Sequence, residues 1–449
     1  MPFYLRLVNK SPIKLLLVHA LFGFIASQSP NFSTIWGWSI VVFGSYNIIK
    51  NRNRFNDAAF FTIYVMGIEV LLRMTNAEVL WEFGKYGSTL MLMLGLSMEN
   101  LTKHRTSIFI VIYILTFLPS VFLVPFESFS FWRQCISFNL SGPILLFVSF
   151  IYFRNRLITK NEIINIFRVF ILPLVSMSTV LLVRIPSLEE IVFTSEANFQ
   201  MSGGYGPNQV SSILGLVVAI ISLSKILGLI IFKKNVYDYM ILSVCSIQAY
   251  LTFARGGVIT AITAVFTSWF ISTLIHSNTK IIKTGRIAYI IFILFLLWSI
   301  AGDFSEGMME KRYASILDLD ASGELSGSGR ILIMTADLEI FKDNYFMGVG
   351  PGMANHLRMD YGYHKTVASH SEFTRTLAEH GIFGIIGIFA LIFLAIKEFS
   401  YRKRMDRCIL SCFAMIAILT MFHSAMRLAM VGLVFGMSFI KYNSSYSED

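Results

Sequence analysis

The sequence predicts an all-α polytopic membrane protein of about 14 transmembrane helices with one large extracytoplasmic loop. Three observations lead there. Of the 449 residues, 55% are hydrophobic and only 14% are charged, against about 25% charged in soluble globular proteins. Apolar runs recur along the whole length rather than at one end. Lys and Arg collect in every second connection between those runs.

Taken in order, the runs lie at about 13–29, 33–49, 57–72, 84–98, 107–125, 136–153, 164–183, 208–232, 236–253, 256–275, 286–302, 382–397, 407–422 and 427–440. The first is expected to be a retained span, because no small-residue cleavage site follows it. Basic residues cluster at Arg6, Lys10 and Lys14; at Lys50, Arg52 and Arg54; and at Lys103 and Arg105. They cluster again at Arg154, Arg156 and Lys160; at Lys233 and Lys234; and at Lys280, Lys283 and Arg286. The last groups are Lys397 with Arg402 to Arg407, and Lys441. The connections between carry little Lys or Arg, or carry acids such as Glu78, Glu82, Glu127, Glu189, Glu190 and Glu196. Positive residues mark the cytoplasmic side, so both termini are expected inside and the long polar segment outside. The expected division is a bundle of about 11 spans over 1–301, the loop at 302–381 with two short helices, and C-terminal spans with a short cytoplasmic tail over 382–449.

The net charge of +10 sits in those short connections and sets topology, so it does not point to nucleic acid. Cys135, Cys245, Cys408 and Cys412 are scattered through or beside spans and show neither metal-ligand spacing nor a disulfide framework. The 302–381 loop holds seven Lys and Arg against twelve Asp and Glu, a net of −5. An anion bound there would be gripped by individual arginines rather than by a general field.

Within the loop, Met334, Leu338 and Phe341 recur at helical spacing with Asp337, Glu339 and Lys342 opposite, which predicts an amphipathic helix from about Arg330 to Asp343. Gly348-Val349-Gly350-Pro351-Gly352 then forces a tight turn. Ser369-His370-Ser371-Glu372 fits a capping box, with Ser369 as N-cap and Gly381 at the helix end. His370 would then be the first helical residue, at an end that disfavours an imidazolium and leaves a neutral ring able to take a proton.

The candidate site residues follow from placement. Arg255 lies between two spans, beside Gly256 and Gly257 that would let backbone approach a phosphate; a charge at mid-bilayer costs about 2.5–3.5 kcal/mol. Arg330 opens the first loop helix. Asn208 and Gln209 open a span and offer amides to sugar hydroxyls. Ser371 and Arg375 follow His370. His423 and Arg427 sit four apart at the last extracytoplasmic turn and can share a face. His356, His364 and His380 read as surface residues. Asp318 and Asp320 form an Asp-x-Asp pair of the kind that can hold a divalent metal, and Glu69 is an intramembrane acid.

At these residues the sequence resembles the O-antigen ligase and O-antigen polymerase superfamily of bacterial envelope polysaccharide enzymes. Four places in order carry the resemblance, and together they cover the C-terminal half. They are Gly206-Pro207-Asn208-Gln209; Arg255-Gly256-Gly257; Gly329-Arg330 with Gly348 to Gly352; and Ser369-His370-Ser371 leading to Glu379-His380-Gly381 and Gly384. Many members have His-Asn where this chain has His370-Ser371. The resemblance implies a type C glycosyltransferase-like fold in the inner membrane and a donor glycan on undecaprenyl diphosphate. It implies that Arg255 and Arg330 hold the diphosphate and that His370 activates or positions the acceptor hydroxyl. It further implies that no metal or cofactor is needed, since guanidinium groups clamp the charge. The reading is a polymerase joining lipid-linked repeat units, with membrane lipid and a chain-length regulator protein among the partners it allows. A ligase acting on lipid A-core shares the motifs. A transporter or flippase would instead show midplane charges and internal repeats.

Overall fold

The computed structural model describes residues 1–99, 106–185, 197–274, 280–305, 307–314, 327–363 and 369–443. The N-terminal part holds α1 (Phe3–Lys10), α2 (Pro12–Gln28), α3 (Pro30–Asn51), α4 (Asp57–Met74) and α5 (Phe83–Met98). There follow α6 (Ile108–Leu115), α7 (Leu118–Val121), α8 (Phe129–Phe153) and α9 (Lys160–Val183). The centre holds α10 (Pro207–Ile226), α11 (Asn235–Leu251), α12 (Arg255–Leu274) and α13 (Lys280–Phe304). The loop contributes α14 (Met308–Ala314), α15 (Gly327–Asp343) and α16 (Ala354–Leu357). The chain closes with α17 (Glu372–Tyr401), α18 (Arg404–His423) and α19 (Ala429–Met437).

Each of the fourteen apolar runs falls on a helix, the run at 107–125 on two short ones, α6 and α7. Among the described residues, six helices are long and apolar enough to cross a membrane: α8, α9, α10, α12, α17 and α18. The pair α1 and α2, bent by 101°, adds a seventh if it counts as one span. The other expected spans lie on helices that are shorter or less apolar. The nine residues of α19 rise only about 14 Å, roughly half a bilayer core, yet all are buried in the bundle.

The structure adds two strands that the all-α expectation lacked. β1 (Leu157–Thr159) pairs in parallel with β2 (Lys441–Asn443), tying the chain's last described segment to the α8–α9 connection. Thr159 and Glu162 form a reciprocal capping box that starts α9.

The basic connections gather at one end of the bundle. Arg156 bridges to Glu99 at 2.9 Å and Arg154 to Glu398 at 2.9 Å. Asn56 donates to Glu162 at 2.7 Å, Arg402 to the Ile440 carbonyl at 2.8 Å, and Lys233 to the Lys10 carbonyl at 3.2 Å. At the other end Arg184 reaches the Met74 carbonyl at 2.7 Å and Arg73 the Tyr205 hydroxyl at 3.1 Å. If the basic end is cytoplasmic, a single cysteine at Asp360, which is exposed, should react with a membrane-impermeant maleimide in outer-membrane-permeabilised cells. One at Arg54, also exposed, should react only after the inner membrane is opened. The reverse pattern would invert the topology. The four native cysteines are free and buried, so they leave this assay a low background.

Candidate functional site

The site is built where several helices begin. Pro207 at the first position of α10, with φ already suited to a helix, presents Asn208 beside it. Ser211 donates to the Ala254 carbonyl at 2.7 Å and so fixes the start of α12 against α10. Gly257 permits that approach, since a side-chain carbon there would collide with the Ser211 backbone. At Gly256 it would strike the His423 ring. His423 thus lies against the glycine that follows Arg255. Its Nδ1 is 3.0 Å from the Leu419 carbonyl, which can only accept, so Nδ1 carries the proton. Nε2 then faces the Ser212 hydroxyl at 3.0 Å.

Arg330, on α15, crosses to α10 and donates to the Asn208 side-chain oxygen at 3.2 Å. Burial and the neighbouring Arg255 both push its pKa down, the mark of a cation short of negative charge. No acid pairs with Arg330 among the described residues. An anion there would relieve both arginines.

His370 sits just outside α17. That helix starts at Glu372 with Ser371 as its N-cap, and Ser371 makes no side-chain cap. The capping box expected from Ser369 therefore does not form. Both of its members are claimed elsewhere. Ser369 Oγ lies 3.1 Å from Asp337 and accepts from the Ser371 amide at 3.4 Å. Glu372 is drawn to Arg375 and accepts from the Met426 amide at 3.2 Å. His370 is held instead by what flanks it. Arg427 donates to the Ser369 carbonyl at 3.0 Å. Asp337 accepts from Thr374 at 2.9 Å and from Arg358 at 2.7 Å. Burial first, then Arg427, Arg330, Arg358 and His423, push the His370 imidazole down to about 3, so the ring is neutral at physiological pH. Its Nδ1 is buried with no hydrogen-bond partner among the described residues.

The structure thus brings Asn208, Arg255, Arg330, His370, His423 and Arg427 together. The remaining candidates stand behind or beside them. Gln209 folds its amide back over Gly206. The Ser371 hydroxyl is buried and unpartnered. Arg375 is enclosed by Glu372, Glu379 and Asn139, so its donors are taken and it acts as an internal strut. His356 is exposed, as expected. His380 is not a surface residue: it is 1% exposed, pairs with Ser120 and lies edge-on to Phe117. The reason is the Gly348–Gly352 turn, which crosses the start of α17 with Val349 N donating to Ala378 O and Gly350 N to Glu379 O, each at 3.0 Å. Positive φ at Gly348, Gly350, Gly352 and Gly381 makes this crossing and the kink in α17 possible. His364, Asp318 and Asp320 lie outside the described residues.

One group was missed in the sequence, and a second was seen there only as the intramembrane acid Glu69. Asp337 was assigned to the polar face of α15, but the buried face is Ile333, Ala336, Asp337 and Ile340, while Leu338 is exposed. The i, i+3, i+4, i+7 spacing of those four was the available signal. Asp337 is there to meet Arg358, both fully buried. The second group surrounds Glu69, which accepts from Arg73 at 3.0 Å and from the Ala429 amide at 2.9 Å. It thereby fixes the first turn of α19, two residues beyond Arg427, and Glu82 and Lys85 adjoin it. Asp337→Asn should destabilise the protein by about 3–5 kcal/mol, because it removes the carboxylate that faces the buried Arg358 charge. Thermal unfolding in detergent would read this as a clear fall in midpoint, and an unchanged midpoint would show the pair to be expendable.

A recessed cluster of arginines at helix starts, with a neutral histidine beside it, has the chemistry to receive an anion in a helical membrane protein. Residues 239–389, about a third of the chain, match the family model described as O-Antigen ligase, a similarity that supports the O-antigen polymerase and ligase superfamily for this stretch. The matched stretch contains Arg255, Arg330 and His370, while Asn208, His423 and Arg427 lie outside it. No curated protein matches the chain.

Proposed function

We propose that the protein is a polysaccharide polymerase. It joins repeat units carried on undecaprenyl diphosphate by glycosyl transfer at the extracytoplasmic face of the inner membrane. The observation that carries this reading is the grouping of Arg330 and Arg427 about His370, with Arg255 beside Arg330, in a chain that carries the O-Antigen ligase family stretch. Arg255 and Arg330 bind the donor's diphosphate and stabilise the charge it gains on leaving. His370 takes the proton of the acceptor hydroxyl as its oxygen bonds to the anomeric carbon and the carbon–oxygen bond to the diphosphate breaks. Asn208 orients Arg330, and Arg427 fixes the segment that carries His370. Helix starts at α10 and α12 add partial positive charge where the phosphates would lie.

The description of the family model favours a second reading, a ligase that moves a finished glycan to lipid A-core. One assay separates them. Purified protein is given lipid-linked repeat units alone, and product length is followed on a gel. A ladder of longer lipid-linked glycans supports the polymerase. No ladder, but transfer once lipid A-core is added, supports the ligase.

A further inference from the structure

A cleft of about 550 Å³ opens away from Arg255 and Arg330, within the range of about 300–1,000 Å³ that small-ligand sites occupy. Its walls are the α4–α5 connection, the first half of α8 and the turn at Gly352 to His356. Resting on the reading of the protein as a lipid-linked glycan transferase, we propose that this cleft is the subsite for uncharged sugar rings of the acceptor.

The lining has the chemistry of a sugar site. Trp81, Tyr86, Phe131 and Phe138 offer aromatic faces, and Gln134 and Asn355 offer amides. A pyranose has apolar C–H faces and a rim of hydroxyls, so a ring face and an amide edge are its complement. Trp81 is 76% exposed among the described residues, so the face of its indole is open to a ligand. The charges around the cleft are of both signs. Glu82 is paired with Lys85, and exposed Arg133 stands apart from both. A phosphate-rich ligand would call for a cluster of one sign, and a neutral sugar would not.

Continuity with the site identifies the substrate. Phe138, Asn139 and Asn355 also wall a small second cavity, whose other walls include Ser369 and Arg427. Those three side chains are therefore shared between the cleft and the cavity walled by the two residues that flank and fix His370. The Arg255 side is built differently, since α12 packs on α10 and α18 and Arg330 reaches α10. A diphosphate at Arg255 and Arg330 and a glycan entering through the cleft approach His370 from different walls, as donor and acceptor must.

The test uses the full-length protein in detergent, with lipid-linked repeat units as donor. The acceptor is the repeat-unit oligosaccharide freed from its lipid by mild acid. Trp81→Ala and Phe131→Ala should each raise the KM for the free oligosaccharide about tenfold, about 1.4 kcal/mol of binding. The KM for the lipid-linked donor should stay within about twofold. A second readout needs no turnover. Titrating the free oligosaccharide should change intrinsic fluorescence saturably in the wild type, and Trp81→Phe should lose most of that change. Wild-type acceptor KM in both alanine variants, with fluorescence unaltered by Trp81→Phe, would overturn the subsite and leave the transferase reading standing. A wild type that binds the oligosaccharide through Trp81 but elongates nothing would overturn the transferase reading instead.

Discussion

Arg255→Ala and Arg330→Ala are each expected to abolish visible polymer while the protein still inserts and folds. The magnitude follows from the setting. The two guanidiniums are close enough for Arg255 to lower the pKa of Arg330, and the described partner of Arg330 is a neutral amide, Asn208. This arrangement disfavours the Arg330 charge, and an arriving anion would offset that. A single preorganised donor facing charge that develops in a transition state is worth roughly 100- to 1,000-fold in rate. A cation facing a leaving diphosphate should be worth at least that. Folding should survive, because removing one of two like charges relieves repulsion. Arg255→Lys should recover only part of the activity, since an ammonium cannot make a two-pronged phosphate contact. Asn208→Ala should cost less than Arg330→Ala, because it removes only the guide. Gel analysis of polymer, with membrane abundance as the control, decides the matter. Near-normal polymer from both alanine variants would remove the diphosphate clamp.

What the sequence disclosed and what it hid divide along physical lines. An apolar run announces itself whatever it packs against, so every run from 13–29 to 427–440 lies on a helix. Whether a helix crosses the membrane depends on its length and neighbours, and α19 shows the gap. Its run looked like a span, but α19 is nine residues long and starts inside the bundle at the amide bound by Glu69. The capping box at Ser369 failed for a similar reason. The local pattern was correct, but Asp337 and Met426, distant in sequence, competed for the same side chains. Asp337 and Arg358 are 21 residues apart, Arg375 and Asn139 are 236 apart, and no local rule pairs them. Arginines that meet acids became struts, as Arg375 and Arg358 did. Arg330 did not, and a residue-type reading could not make that distinction.

His370→Ala should lose most of the activity, roughly 100- to 10,000-fold, the usual worth of a positioned general base. The free site is ill suited to a strong base, because burial and the surrounding arginines hold the His370 imidazole down at about 3. The same arginines resolve the difficulty. A bound diphosphate neutralises Arg330 and its neighbours, removes part of the repulsion that disfavours an imidazolium, and raises the basicity of the ring when the donor is in place. The sign gives a pH test. A base works when unprotonated, so in the free protein His370 stays competent well below its ordinary value of about 6.5. Acid loss of kcat/KM, which reports the free protein, should therefore begin below about pH 4 as far as His370 is concerned. Acid loss of kcat, which reports the loaded protein, should begin at higher pH. In Arg427→Gln the free-protein limb should move up, because a cation that lowers His370 is gone. Equal rates for wild type and His370→Ala, or pH profiles of kcat and kcat/KM that coincide, would leave His370 as a structural residue whose unpartnered Nδ1 has no catalytic meaning.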